Sequence, residues 1–118
     1  MTLSDLIAVA RGLQPADLLL ANARVVNTFT GDIDRANVAI VGDTIAGVGD
    51  YRRSYREARE VIDLGGRFLA PGLVDGHTHP ESSLLHPAQY AAAVVPRVTT
   101  SVVTDFHEIA NVCGLGGL

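Results

Sequence analysis

The chain has 118 residues and a formal net charge of −4. Apolar residues make up 47% of it and charged residues 19%, which is typical of a globular domain and excludes a disordered, highly charged chain. The acidic balance argues against a nucleic-acid partner, because such a partner requires clustered positive charge. All nine basic residues are arginines, so no lysine is present to form a Schiff base or a metal-bridging carbamate.

The single cysteine, Cys113, excludes an internal disulfide and a CxxC zinc module, and we predict that it is buried and inert. The start of the chain, MTLSDLIAVARGLQP, lacks a basic segment followed by a long apolar core, so no signal peptide is predicted. No apolar run approaches the ~18 residues that a membrane span needs. We therefore expect a cytoplasmic protein without a membrane partner.

The first 70 residues predict a helix followed by short strands. Residues 2–12 place apolar side chains at helical spacing, with Thr2 or Ser4 as the capping residue. From residue 16 to residue 70, brief apolar runs alternate with Gly- and Asp-containing turns, which predicts a small antiparallel β unit. Within it, the charged stretch YRRSYREARE is predicted to be a solvated loop or a single helical turn.

After Pro71 the pattern changes to strand, helix and strand. GLVDGHTH is strand-like, PAQYAAAVVPR is helix-like, and VTTSVVTD is a β-branched run typical of a buried parallel strand. Such a βαβ unit implies a parallel sheet. Two parallel strands alone cannot be covered on both faces, so we expect this unit to be part of a larger α/β structure.

The HTH sequence at the end of the first of these strands predicts a metal site. Side chains at positions i and i+2 of a strand point the same way, so His77 and His79 are expected to share a face with Asp75. Two imidazoles spaced in this way can bind one ion, and Asp75 can act as an outer acceptor that orients a histidine. The alternative is a half-buried polar patch without metal.

A second group of polar residues ends the next predicted strand. If strands 72–79 and 98–105 are parallel neighbours, their carboxyl ends meet on one rim, where open sheets and barrels place their active sites. The residues gathered there would be His77, His79, Glu81, Asp105, His107 and Glu108. As alternatives, Asp105 caps the following helix, and Ser82 and Ser83 cap a local segment or bond a substrate. His86 is predicted to be a surface loop residue.

The stretch FLAPGLVDGHTHPESS resembles the first barrel strand of the amidohydrolase superfamily, whose signature is PGxxDxHxH. The preceding β unit resembles the small β-sandwich that these enzymes build beside the barrel. ESS after the histidines, together with TTSVVTDFHEIANV, is similar to the bacterial-type adenine deaminases. This branch has Pro where Phe106 stands, and aliphatic residues are common where Thr78 and Pro80 stand.

The resemblance implies a fold and an activity. The fold is α/β: an N-terminal helix (residues 1–15), part of a small β-sandwich (16–70) and the first βαβ portion of a (β/α)₈ barrel (71–118). The activity is hydrolysis of adenine to hypoxanthine and ammonia, with two divalent metal ions (Mn, Fe or Zn) and a homo-oligomeric full-length protein. Because a barrel needs ~200–250 residues, we expect the chain to be an N-terminal fragment that is inactive alone.

The resemblance also implies residue roles. His77 and His79 match the metal-binding pair. The remaining candidates are the catalytic carboxylates Glu81, Asp105 and Glu108, the substrate-binding residues Ser82, Ser83 and His107, and the outer-sphere residue Asp75. Three alternatives stay open: another amidohydrolase, related to dihydroorotase, hydantoinase or imidazolonepropionase; a metal-free scaffold or partner module; and a subunit that pairs with a separately encoded remainder of the barrel.

Overall fold

The computed structural model describes residues 2–117 and divides the chain into two compact units, Met1–Ala70 and Pro71–Leu118. The first unit begins with helix α1, Leu3–Ala10. Thr2 caps this helix, because its hydroxyl accepts the backbone N–H of Asp5 while the Asp5 carboxylate accepts the N–H of Thr2. The reciprocal pair satisfies two N–H groups that a helix start leaves without partners.

One five-stranded sheet forms the rest of the first unit. Its strands are β1 (Leu18–Val26), β2 (Ile33–Val41), β3 (Thr44–Gly49), β4 (Glu60–Asp63) and β5 (Phe68–Leu69). A six-residue loop joins β1 to β2 and a two-residue turn joins β2 to β3, and both pairs are antiparallel as predicted. The prediction is wrong for β4 and β5, which pair with β1 in parallel. The reason is the longer connection through helix α2 (Arg52–Glu57), which carries the chain back to the starting end of β1.

The core of the first unit lies between one face of the sheet and α1. Leu19 is fully buried on β1, and Ala39 lies on the same face of β2 as its register partner. The Tyr51 ring closes this core and its hydroxyl donates to the carbonyl of Ala10, 3.1 Å away. The Ser54 hydroxyl, also buried, accepts the N–H of Ala16. Helix and sheet are thus joined by both packing and buried hydrogen bonds.

The opposite face of the sheet is apolar across four strands. Alternation and register place these side chains together: Leu18, Leu20, Val38, Ile40, Ile45, Val48 and Ile62. Ile45 is 64% exposed and Val48 is 53% exposed. Residues 2–70 form a single sheet, and no second sheet within this range packs on the apolar face.

The second unit contains the predicted strand–helix–strand arrangement. Strands β6 (Leu73–Asp75) and β7 (Thr99–Val102) are parallel neighbours, which confirms the pairing expected from the sequence. Between them lies helix α3 (Pro87–Val94), which continues as a 3₁₀ turn, and after β7 comes helix α4 (His107–Cys113).

Both strands are shorter than predicted. β6 ends at Asp75, whose carboxylate accepts the N–H of His77, and Pro80 then opens a 3₁₀ turn. His77 and His79 therefore lie in the turn after the strand, so the expectation that they occupy the strand itself is wrong. The expectation for Cys113 is also wrong: it is exposed, because α4 buries none of its described residues. Among residues 2–117, no helix combines the length and the apolar character required to cross a membrane.

Replacing Leu19 with alanine tests the packing of the first unit. Leu19→Ala removes a fully buried side chain, and we expect it to lower the free energy of unfolding by about 3 kcal/mol. The matched control Ile45→Ala changes an exposed residue of the same sheet and should cost less than about 1 kcal/mol. Urea denaturation followed by circular dichroism measures both. Equal losses would show that the core does not lie on the Leu19 face.

Candidate metal centre

Backbone hydrogen bonds hold the histidine-containing turn against the end of β7. The N–H of Val103 donates to the carbonyl of Asp75 (2.8 Å), and the N–H of Thr78 donates to the carbonyl of Val103 (3.0 Å). These bonds continue the parallel pairing past the two strand ends. Residues 75–79 and 103–107 consequently lie side by side, which is the juxtaposition that the two polar clusters require.

The rings of His77 and His79 converge. Their Nε2 atoms are 3.0 Å apart, and the ring centroids are 4.9 Å apart with an interplanar angle of 77°. Alternation along a strand is not the cause, since both residues follow the end of β6. The turn itself directs the two imidazoles to one point.

Asp105 joins the first cluster to the second. Its Oδ1 lies 2.9 Å from His107 Nδ1 and 3.2 Å from His79 Nδ1. The rings of His79 and His107 are perpendicular, with centroids 4.7 Å apart. One ligand atom from each of the three residues falls within 4.8 Å of the others. Two imidazole nitrogens and one carboxylate oxygen form a donor set that suits zinc and similar divalent ions.

Buried polar atoms without partners support this assignment. His79 Nδ1 and both carboxylate oxygens of Glu81 are shielded from solvent and make no hydrogen bond within residues 2–117. The His79 atom is near Asp105 but lacks hydrogen-bond geometry. A shielded carboxylate is costly unless a cation or donor compensates it. The chemistry of these residues therefore fits a bound divalent cation.

The Asp105–His107 contact shifts two pKa values in opposite directions. The hydrogen bond from His107 lowers the pKa of the Asp105 carboxyl, and the same bond, helped by the charges of Asp105, Glu108 and Glu81, raises the pKa of His107. The ion pair is intact between the lowered and the raised pKa, and its stabilisation is lost as pH falls below the first or rises above the second. Because a ligand imidazole must be neutral, protons compete with metal up to the raised pKa of His107.

The remaining predicted residues make local contacts. The hydroxyl of Ser82 donates to the Glu108 carboxylate, with oxygens at 2.7 and 2.9 Å, and thereby links the turn after β6 to α4. Ser83 donates to the carbonyl of Pro80. Asp75 accepts from the backbone of His77 and contacts no ring through a hydrogen bond, so its orienting role stays a prediction.

The helix starts bear on two expectations from the sequence. Asp105 does not cap α4, because the N-cap position is Phe106, which has a left-handed backbone (φ 49°) and no side-chain cap bond. The Asp105 carboxylate is instead bonded to His107. His86, predicted as a loop residue, caps α3: its Nδ1 accepts the N–H of Ala88 at 3.3 Å.

Tyr90 is a contributor that the sequence reasoning missed. Its hydroxyl lies 3.3 Å from Thr78 Oγ1, so α3 contacts the residue between the two turn histidines. A tyrosine in an otherwise alanine-rich helical segment was the available signal, since a partly buried tyrosine usually finds a hydrogen-bond partner. Gly72 is also required, because a Cβ there would overlap the side chain of Thr100 on β7.

Comparison with solved structures gives the class of protein. The chain superimposes on a D-aminoacylase described as defining a novel subset of amidohydrolases, with a TM-score of 0.62 and 34% sequence identity over 76% of this chain and 18% of that one. A D-aminoacylase described with a binuclear metal centre matches equally well. The chain is thus related in fold and sequence to the amidohydrolases. No family model matches it.

Comparison with curated proteins identifies a smaller group of enzymes to which the chain is similar. The chain is 56% identical over its whole length to the adenine deaminase of Kosmotoga olearia and 58% identical over 98% of its length to that of Dehalococcoides mccartyi. It is therefore homologous to a segment of the adenine deaminases, which confirms the resemblance seen in its motifs. The chain spans about one fifth of the length of these relatives, 20% in both cases.

Replacing Asp105 with asparagine tests the network in the metal-free chain. Asp105→Asn removes the carboxylate that raises the pKa of His107, so this pKa should fall toward its ordinary value near 6.5. Proton NMR titration of the histidine Cε1–H signals measures the change. Asp75→Asn is the matched control and should leave the His107 titration unchanged. An unchanged midpoint in Asp105→Asn would contradict the Asp105–His107 contact.

Proposed function

We propose that this chain supplies the first two strand ends of the active site of an adenine deaminase, which converts adenine and water to hypoxanthine and ammonia. The observation that carries the proposal is the convergence of His77, His79, Asp105 and His107 at adjacent ends of two parallel strands. Identity of 56% and 58% to named adenine deaminases supports this activity over other amidohydrolase reactions.

The proposed whole protein is a (β/α)₈ barrel with a small β-sandwich beside it. In the second unit, Leu73, Val74 and Val98 are 58–64% exposed, although buried parallel strands carry such residues. Further barrel strands would cover them. In the first unit, the apolar face opposite the core has the character of an inner sandwich face. We propose the boundaries 1–15, 16–70 and 71–118 for the helix, the sandwich portion and the barrel portion.

The metal ligands proposed for this chain are His77 and His79, with Asp105 and His107 completing the donor set that the geometry allows. Two divalent ions, manganese, iron or zinc, are proposed for the whole enzyme. Divalent metals of this kind, when bound, would lower the pKa of a bound water toward ~7 and so supply hydroxide at neutral pH. The unpartnered Glu81 carboxylate lies in the same turn and adds negative charge that favours a cation.

The carboxylates are proposed to move protons. Addition of water at C6 of adenine and loss of ammonia require that a proton pass from the water to the leaving amino nitrogen. Glu108 is held by Ser82 through both carboxylate oxygens, which fixes its orientation at the rim. Glu81 and Asp105 are the other carboxylates that reach this region. In this proposal Glu108 accepts the proton and returns it to nitrogen as the C–N bond breaks.

Substrate contacts are proposed for Ser82, Ser83 and His107. The serine hydroxyl protons are already donated, to Glu108 and to the carbonyl of Pro80. Their oxygens remain acceptors, which matches the amino group that adenine presents at C6. Binding by acceptors would distinguish the amino-bearing substrate from the carbonyl-bearing product. We further propose a cytoplasmic, homo-oligomeric whole protein.

Zinc titration of the 118-residue chain tests the metal centre. Isothermal calorimetry of apo protein should give one saturable site, whose affinity rises with pH because protons compete for His107. His79→Ala removes a central ligand and should weaken binding by about tenfold or more. His86→Asn is the matched control, since asparagine retains helix capping, and it should bind zinc normally. Equal affinities in the two variants would refute the site.

Adenine turnover by the full-length protein tests the activity. We expect loss of adenine absorbance and release of ammonia in the full-length enzyme, and no measurable turnover by the 118-residue chain alone. Glu108→Gln in the full-length protein should lower kcat by about 100-fold or more, the usual contribution of a general acid–base group. N-acyl-D-amino acids serve as control substrates. Hydrolysis of these in place of adenine would instead favour a D-aminoacylase-like function.

A further inference from the structure

A groove lined by arginines crosses the first unit, and the proposed deaminase chemistry makes no use of it. Its larger part has a volume of about 730 Å³, and an adjoining part of about 320 Å³ shares Asn22, Asn37 and Asp50 with it. Four arginines and a single aspartate are the charged residues of the lining: Arg24, Arg35, Arg52, Arg56 and Asp50. The groove is therefore positive in a chain whose net charge is −4.

Arg24 and Arg35 occupy directly opposite positions on β1 and β2. Opposed residues of antiparallel strands have Cβ atoms about 5 Å apart, and like charges in that arrangement destabilise the sheet. Within the described residues neither guanidinium has a carboxylate partner, while Arg24 is fixed over the ring of Phe68, 4.5 Å from its centroid. Both arginines line the groove, and both lack a carboxylate partner among the described residues, which suits them to contact a doubly charged oxyanion.

A β-bulge builds the floor of the groove beside these arginines. The register between β1 and β2 shifts between Leu20 and Ala23, and Asn22 adopts a left-handed backbone (φ 55°). Three contacts fix Asn22: its N–H donates to Asn37 Oδ1, its side-chain amide donates to Asp63, and its carbonyl accepts from Gly66.

The hydrogen bond between Asn37 and the backbone of Asn22 determines which polar atom of Asn37 is available at the floor of the groove. Because Asn37 accepts through Oδ1, its Nδ2 is left as a donor at the groove. The Asp63 carboxylate is held by donors from Asn22 and Gly65, which lower its pKa. Bulges commonly re-aim side chains beside binding sites, and this one places an amide donor next to the arginine pair.

The second part of the groove extends away from the arginine pair toward α2. It is lined by Tyr55, Arg56 and Arg52, and Arg52 is paired with Asp50 at 2.7 Å. Tyr55 is 46% exposed and offers an aromatic surface and a hydroxyl. The combined space exceeds what a free inorganic ion fills, so a larger molecule with one anionic end matches it.

We propose that this groove binds a phosphorylated small molecule, with the phosphate between Arg24 and Arg35 and the remainder directed toward Tyr55. Guanidinium groups bind phosphate oxygens in pairs of parallel hydrogen bonds, and the Asn37 amide supplies a further donor. The site is in the first unit and is independent of the metal centre. It would give the protein a response to phosphorylated metabolites in addition to its proposed reaction.

Titration of the 118-residue chain with ribose 5-phosphate tests the proposal. Separate titrations with inorganic phosphate and with sodium chloride, at matched ionic strength, serve as comparisons. Nitrogen NMR signals of arginine Nε and asparagine Nδ2 report where each ligand binds. We expect saturable shifts confined to the arginines and asparagines of the groove, with ribose 5-phosphate bound about tenfold more tightly than inorganic phosphate: Arg24, Arg35, Arg52, Arg56, Asn22 and Asn37. Equal affinity for both would refute the phosphorylated small molecule and leave a free-anion site.

Arg35→Gln and the matched control Arg59→Gln separate specific binding from general charge. Arg35→Gln should weaken ribose 5-phosphate by about tenfold or more, the loss expected for one charge-assisted contact, while Arg59→Gln should change it less than about twofold. Without ligand and at low salt, Arg35→Gln should raise the Tm, because it relieves repulsion with Arg24. Unsaturable shifts, equal effects of the two substitutions, or a lower Tm in Arg35→Gln would overturn the proposal.

Discussion

The parallel pairing of β6 and β7 is the constraint on which the candidate site depends. Neither polar cluster is a site alone: the turn after β6 supplies His77 and His79, and the segment after β7 supplies Asp105 and His107. Two backbone hydrogen bonds through Val103 extend the pairing beyond the strands and bring these segments together. The juxtaposition of the two segments is thus produced by main-chain bonding.

The two units differ in how completely they satisfy their own apolar residues. The first buries Leu19 and Tyr51 between sheet and helix, and still presents a second apolar face. The second buries almost nothing: α3 and α4 contain no buried residues among those described, and its strands remain exposed. Hydrophobic burial therefore stabilises the first unit directly. The candidate metal-binding cluster lies in the second unit, where polar contacts join the turns.

Local patterns predicted the elements well and their ends poorly. The capping of α1 by Thr2, the helix 87–94 and the adjacency of strands near 73 and 99 all follow from short-range signals or from connection rules. The direction of β4 was mispredicted because it depends on the end of the sheet to which the intervening helix brings the chain. No local sequence signal indicates that end. The burial of Cys113 was mispredicted because the apolar character of a side chain does not show whether another element packs against it.

The sequence by itself determined which residues are candidates for the site and to which family of enzymes the chain is related, since residue types and their spacing are local properties. It specified the histidine pair and the carboxylates of the second cluster by number. Only the tertiary structure decided how they meet: that His79, through Asp105, lies beside His107, that Ser82 holds Glu108, and that the opposed arginines of β1 and β2 share a groove. Ser82 and Glu108 are 26 positions apart in the sequence, and Arg24 and Arg35 are opposite each other on neighbouring strands. In both cases backbone pairing sets the geometry of the contact.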